Sequence, residues 1–170
     1  MELQWMGAIM IITGCGGIGF LMAMYDKREM THLQQLALAV EYMICELNYR
    51  GIPLPELCRG ASKRCKGGIA DLFDHLAREL DNQIEPDALC CMRHAMEQCP
   101  EFRGSVPEML MDLGTTLGIF DLQGQLRSLE ALLEQSRHRV AEMGKNRSQR
   151  LRGYQTLGLC AGAALAILLL

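Results

Sequence analysis

Aromatic side chains are scarce, at 5% of the 170 residues, and no stretch alternates β-branched with polar positions; both lacks argue against sheets. Charge is missing from the two extremities. Every Lys and Arg lies between Lys27 and Arg152, while Leu3–Tyr25 and Gly153–Leu170 hold no acid or base besides Tyr and Cys. A G-x-x-x-x-G-K-[ST] phosphate loop is absent, which excludes nucleotide hydrolysis by that route. None of the eight cysteines forms a C-x-x-C pair, the usual mark of zinc sites and thioredoxin-like redox motifs. No His or carboxylate set stands in a catalytic frame, so neither an enzymatic activity nor a cofactor or metal is expected.

The uncharged ends are what the chain has instead. Residues 1–25 are long enough to cross a bilayer, and residues 153–170 form a second, shorter candidate span at about 1.5 Å of helix per residue. A cleaved signal peptide carries positive charge before its apolar run. Here Glu2 precedes the run, and Lys27 and Arg28 follow it, the order of an uncleaved anchor. Lys27 and Arg28 on one side, and Lys145, Arg147, Arg150 and Arg152 on the other, point the middle of the chain to the cytoplasm by the positive-inside bias. The expectation is a two-pass hairpin with both termini outside and a cytoplasmic domain over 26–152. Its basic collar suits anionic lipid headgroups. Nucleic acid is a poorer partner, because these charges do not line a groove with aromatics.

Between the spans the pattern is helical throughout. Leu33, Leu36, Ala37, Val40, Ile44 and Leu47 share one face of a helix over 31–50, with Met43 at its edge. Gly51 stops it, and Pro55 suits the first turn of the next helix, beginning near Glu56. Ile69, Leu72, Phe73, Leu76 and Leu80 mark a third helix; a fourth opens near Pro86-Asp87 and ends before Pro100. Ser105-Val106-Pro107-Glu108 reads as a capping box for a fifth. Asp121 caps a long sixth, whose apolar stripe is Leu122, Leu126, Leu129, Leu133, Ser136, Val140 and Met143. The predicted fold is an all-α bundle of about six helices, the last continuous with the second span.

Two chemical readings remain. Gly14-Cys15-Gly16-Gly17-Ile18-Gly19 satisfies the dinucleotide-binding spacing, yet no βαβ unit surrounds it. Small residues in a membrane helix explain it better. Cys15, Gly19 and Ala23 make one close-packing face, and Gly158, Gly162 and Ala166 another. Cys90 and His94, one helical turn apart, form the kernel of an alternative function, a membrane-tethered metal or redox sensor, with Cys99 or His75 as further ligands. Buried structural thiols and solvated histidines at 32, 75, 94 and 138 are the plainer reading.

Two segments resemble a known family. Glu46-Leu47-Asn48-Tyr49-Arg50-Gly51-Ile52-Pro53-Leu54-Pro55-Glu56-Leu57 resembles the E-L-x-Y-x-x-x-P-L-P-E-L segment of the stage III sporulation protein AB family. Leu113-Gly114-Thr115-Thr116-Leu117-Gly118-Ile119-Phe120-Asp121, followed by Gln125, resembles its L-G-x-T-L-G-x-x-D-x-x-x-Q segment. Chain length and the terminal spans agree. The many cysteines and the glycine-rich first span depart from the family pattern. The resemblance implies a part in endospore formation, in the mother-cell membrane around the forespore. The family is similar to the F-family platform protein of type II secretion and type IV pilus systems, whose cytoplasmic helical domains abut a motor ATPase. By that analogy the chain is a non-enzymatic platform linking sporulation-channel proteins to a cytoplasmic ATPase, with homo-oligomer formation left open.

The expected partner interface is drawn from the two motifs: Glu46, Tyr49, Pro53, Leu54, Pro55 and Glu56 at one turn, and Gly114, Thr116, Gly118, Asp121 and Gln125 at the other. Plainer roles stand beside these. The prolines shape a turn, the glycines permit a close helix crossing, and Tyr49 packs its ring and hydrogen-bonds its hydroxyl.

Overall fold

The structure is a computed structural model that describes the backbone of residues 2–82, 87–118 and 121–169, and the side chains of 24, 26–82, 87–118 and 121–145. Six helices account for nearly all of it: α1 (Glu2–Tyr49), α2 (Leu54–Arg64), α3 (Gly68–Asn82), α4 (Ala88–Gln98), α5 (Val106–Leu117) and α6 (Leu122–Leu169). No strand occurs among the described residues. The predicted bundle is therefore present, with α1 extending unbroken far to the N-terminal side of residue 31. The glycine run Gly14–Gly19 lies inside α1, which leaves it no strand-to-helix turn with which to hold a pyrophosphate.

Each helix packs on the next, and α6 closes the ring against α1. The contacts run up and down. Tyr42 of α1 lies against Gly60 of α2, whereas Gln35, two turns earlier, meets Cys65 and Lys66 beyond the end of α2. Arg59 of α2 pairs with Asp81 at the end of α3. Gly114 of α5 sits on Met92 and Leu89 of α4, and Gly118 beside Asp87. After a connection at 118–121, α6 runs antiparallel to α1, and the Arg137–Glu41 pair at 3.2 Å marks their register. All turns consequently gather at two ends. One end (here called distal) holds 50–53, Asn82, Asp87, Gly118 and Asp121; the other (proximal) holds 65–67 and 99–105.

The core follows the periodicity with a small rotation. Leu33, Leu36, Val40, Met43 and Leu47 of α1 are buried, but Ala39 joins them while Ala37 and Ile44 lie only at the margin. Met43 is thus central to the face, not at its edge. On α6 the buried line is Gln125, Leu129, Leu132 and Ser136, whereas Leu122, the first member of the predicted stripe, is 45% exposed. Phe73 is the largest fully buried side chain. Ser136 avoids an unmet polar group by donating its hydroxyl to the Leu132 carbonyl at 2.8 Å, a bond a helix tolerates at little cost.

Helix ends obey local rules at several points and depart from them at one. Gly51 takes φ +56°, so its N–H donates back to Glu46 O at 3.2 Å; the left-handed turn ends α1 as expected. Asp87 accepts from Leu89 N at 3.2 Å, and Asp121 from Gly124 N at 2.9 Å, each capping the helix that follows. The second helix starts at Leu54, two residues before Glu56, with Pro55 in its first turn. The capping box at Ser105 does not form. Its side chain makes no cap bond to α5, and its φ −86° and ψ −10° are helical rather than the extended conformation of an N-cap. Ser105 N, which Glu108 would accept from in the box, donates to Glu29 Oε1 of α1 instead, as does Ser105 Oγ, each at 2.9 Å. Long-range pairing displaces the local motif.

The six described cysteines are free thiols. Burial, with the neighbouring Cys91 adding to it, pushes the Cys58 thiol up to about 12, and burial alone lifts Cys65 to about 11. Unfolded, the same groups release their protons near 9.0. These thiols therefore leave stability unchanged below about pH 9 and erode it above, Cys65 until about pH 11 and Cys58 until about pH 12, the fully buried Cys58 by about 1.4 kcal/mol per pH unit. Urea denaturation at pH 8 and pH 10.5 is expected to show this loss, and Cys58→Ala to show a smaller pH-dependent fall than wild type. In the same assay at pH 7.5, Leu36→Ala is expected to cost about 2–5 kcal/mol, and Ser136→Ala to stay within about 0.5 kcal/mol of wild type.

Candidate partner-binding end

The distal end is assembled from the two motif segments. The end of α1 carries Glu46 and Tyr49; Gly51 then turns the chain, and Pro53 leads into α2. Across the bundle, α5 ends at Leu117, Gly118 closes it with φ −80° and ψ −6°, and Asp121 starts α6. The up-and-down course of the chain places both turns at this end, as the motif reading requires.

Their side chains divide into outside and inside. Tyr49 is 82% exposed, so it neither packs its ring nor buries its hydroxyl, contrary to the plainer reading. Pro53, Glu56, Gly118 and Asp121 are exposed; Glu46, Leu54 and Pro55 are half-buried. Glu46 lies 3.8 Å from Arg50 on the same face. Gly114, Thr116 and Gln125 are buried. Thr116 donates its hydroxyl to Asp112 O at 2.9 Å, and Gly114 lets α5 approach α4, since a Cβ there would stand 2.9 Å from Met92 Cβ and 3.4 Å from Leu89 Cα. Leu122, 45% exposed and next to Asp121, adds an apolar side chain that the motifs do not mark. The only sign of it in the sequence is that it precedes the first residue of α6 with a core neighbour.

The proximal end is tied down instead of open. Besides Glu29–Ser105, the His32 ring meets Phe102 edge-on at 5.2 Å and stands 4.0 Å from Glu101. His32 is thus a packed, half-buried ring and not a solvated one. Gln35 Oε1 accepts from Lys66 N at 2.9 Å, and its carbonyl accepts from the Cys65 thiol at 3.3 Å. Lys27, Arg28 and Lys145 of the expected collar are exposed here. Arg147, Arg150 and Arg152 lie outside the residues whose side chains are described, as do the two close-packing faces. The expected spans 1–25 and 153–170 fall almost wholly outside them too. Among the described residues no helix is long and apolar enough to cross a membrane.

Cys90 is half-buried and His94 exposed, but neither Cys99 nor His75 completes a set with them. Among the described residues no group of three His, Cys, Asp or Glu side chains is placed to hold a metal ion.

The family model for stage III sporulation protein AB (spore_III_AB) matches residues 4–170. The chain belongs to that family. Stage III sporulation protein AB of Bacillus subtilis (strain 168) is 23% identical over 171 residues, covering 99% of each chain. A solved structure of a stage III sporulation protein AB (SpoIIIAB) superposes with a TM-score of 0.64 at 20% identity, covering 72% of this chain and 98% of that one. At that identity the likeness speaks for the shared helical fold. Membership ties the chain to stage III of sporulation.

Gly114 and Gly118 separate the two uses of a motif glycine. Gly114→Ala is expected to lower unfolding stability by about 1–3 kcal/mol, since backbone and Cβ atoms of α4 must give way. At Gly118 an added methyl would lie 3.5 Å from its nearest neighbours, an ordinary contact, and Gly118→Ala is expected to change stability by less than about 0.5 kcal/mol in the same urea titration.

Proposed function

We propose that this sporulation protein is a non-enzymatic, two-pass membrane platform of the mother-cell side of the sporulation channel, presenting the distal end of its cytoplasmic bundle to the channel's ATPase. The carrying observation is the register of the two long helices. Sixteen residues separate Glu41 from Tyr25 along α1, and sixteen separate Arg137 from Gly153 along α6. From the point where Arg137 meets Glu41, the two helices therefore travel equal lengths, about 24 Å, before each loses its charge. A single planar bilayer surface demands that equality. Two segments that were apolar for unrelated reasons have no cause to begin level with one another.

The same register sets the distal end at the far pole from the membrane, where a soluble ATPase has access. Tyr49, a residue type that dominates binding energy at protein interfaces, stands uncovered there. The Glu29 tie of α1 to the start of α5 makes anchor and bundle one mechanical piece, as a platform needs.

Three measurements test the reading. Alkaline carbonate washing is expected to leave the full chain in the membrane pellet; release into the supernatant ends the two-pass proposal. For topology, Cys45 is the informative thiol, because it is exposed whereas Cys58 and Cys99 are buried. Cys45 is expected to react with a maleimide admitted to the cytoplasm and to resist an impermeant external one. In sporulating cells, Tyr49→Ala is expected to reduce recovery of the channel ATPase at least tenfold without altering protein level. Full recovery would move the contact elsewhere.

A further inference from the structure

At the distal end three acidic groups stand without a basic partner among the described residues, while three nearby arginines are taken up within the chain. Arg50 lies beside Glu46, Arg59 beside Asp81, and Arg78 beside Asp74. Glu56, Asp87 and Asp121 are exposed, and among the described residues no basic side chain pairs with any of them. Asp87 and Asp121 flank the same turn: a methyl on Gly118 would lie 3.5 Å from Asp87 Oδ1, and Asp121 follows Gly118 by three residues. Each accepts one backbone N–H, which holds the carboxylate in place and leaves lone pairs facing solvent. Beside them Tyr49 and Leu122 are 82% and 45% exposed. The end thus combines two uncovered side chains, Tyr49 and Leu122, with three unpaired negative charges, two of them held in place by cap bonds.

We propose that this end docks a protein surface of opposite character, a basic rim of Lys or Arg around an apolar socket that receives Tyr49. The inference rests on the platform reading for the statement that the distal end meets a partner, and goes beyond it in assigning that partner's chemistry. Tyr49 supplies the anchor, being large, stiff and polar only at its tip. The carboxylates supply steering and register, which makes association depend on salt. The surplus cannot serve an anionic lipid surface, because its sign is wrong. Nor does the same end of a second copy suit it, since identical poles would oppose acid to acid.

The test places a photo-crosslinking amino acid, benzoylphenylalanine, at exposed Gln123 in the full chain in sporulating cells, with capture mapped to a peptide by mass spectrometry. The captured segment is expected to carry net positive charge. The combined Glu56→Lys and Asp121→Lys variant is expected to reduce the yield at least tenfold at unchanged protein level, and a Lys→Glu or Arg→Glu change in the captured segment to restore it. Glu56→Gln with Asp121→Asn, which keeps side-chain size and a capping oxygen, is expected to give an intermediate loss and guards against a folding defect. A captured segment that is neutral or acidic overturns the inference, as does a yield indifferent to charge reversal; both leave the platform reading standing. If Gln123 captures nothing while a probe on another face captures the ATPase, the distal end is not the docking surface and both assignments to it fail.

Discussion

The antiparallel pairing of α1 with α6 is the constraint on which the rest of the fold depends. These two helices are far longer than the four between them, and neither can bury its apolar stripe alone. Leu33, Leu36, Val40 and Met43 on one, and Leu129, Leu132 and Ser136 on the other, lose contact with water together. At roughly 25 cal/mol per Å² of apolar surface, such burial outweighs any polar contact on the bundle. The Arg137–Glu41 pair is a half-exposed surface ion pair and contributes little energy; it reports the register without creating it. Once the pair is formed, the short helices have one place to go. They complete a ring across the apolar side, and their turns must lie at one pole or the other.

That polarity divides the labour of the molecule. At the proximal pole, contacts accumulate: Glu29 on Ser105, His32 on Phe102, Gln35 on Lys66. Each joins a loop to α1 within a few turns of Lys27 and Arg28. At the distal pole the turns are closed by their own caps and leave Tyr49, Leu122 and several carboxylates uncovered.

Much of this is legible in the residues, for identifiable reasons. The six helices can be read because their apolar spacing, Gly51, Pro55, Asp87 and Asp121 act through local backbone chemistry, which needs no knowledge of the partner helices. The capping box at Ser105 misleads for the converse reason. Its local logic is sound, but Glu29, 76 residues away, accepts from both Ser105 N and Ser105 Oγ at once, two charge-assisted bonds where the box offers the Ser105 N–H one. His32 reads as a solvated ring because nothing in its neighbourhood of sequence announces Phe102. The motif residues can be grouped as one interface but not sorted: Gly114, Thr116 and Gln125 turn inward because neighbouring helices cover them, a fact of tertiary packing alone. Periodicity assigns Leu122 to the core. Its stripe runs past the end of the helix that would have covered it.

The cysteines show the same division between composition and placement. Eight in a chain of this size suggest chemistry, yet reactivity depends on the thiolate, and burial opposes the thiolate. Cys58 and Cys65 are held protonated far above neutral pH, and burial also raises Cys99, with Asp71 and Glu101 adding to it. Such side chains act as small apolar residues where α2 and α4 meet the core. A sensor would require the opposite arrangement, an exposed thiol beside a cation. Exposed Cys45 has Glu41 one turn away on its own helix; half-buried Cys90 has Arg93 and His94 within one turn, but no set of three metal-ligating side chains gathers there among the described residues. The buried thiols therefore belong with the packing of the bundle, and the cysteine count by itself announces no chemistry.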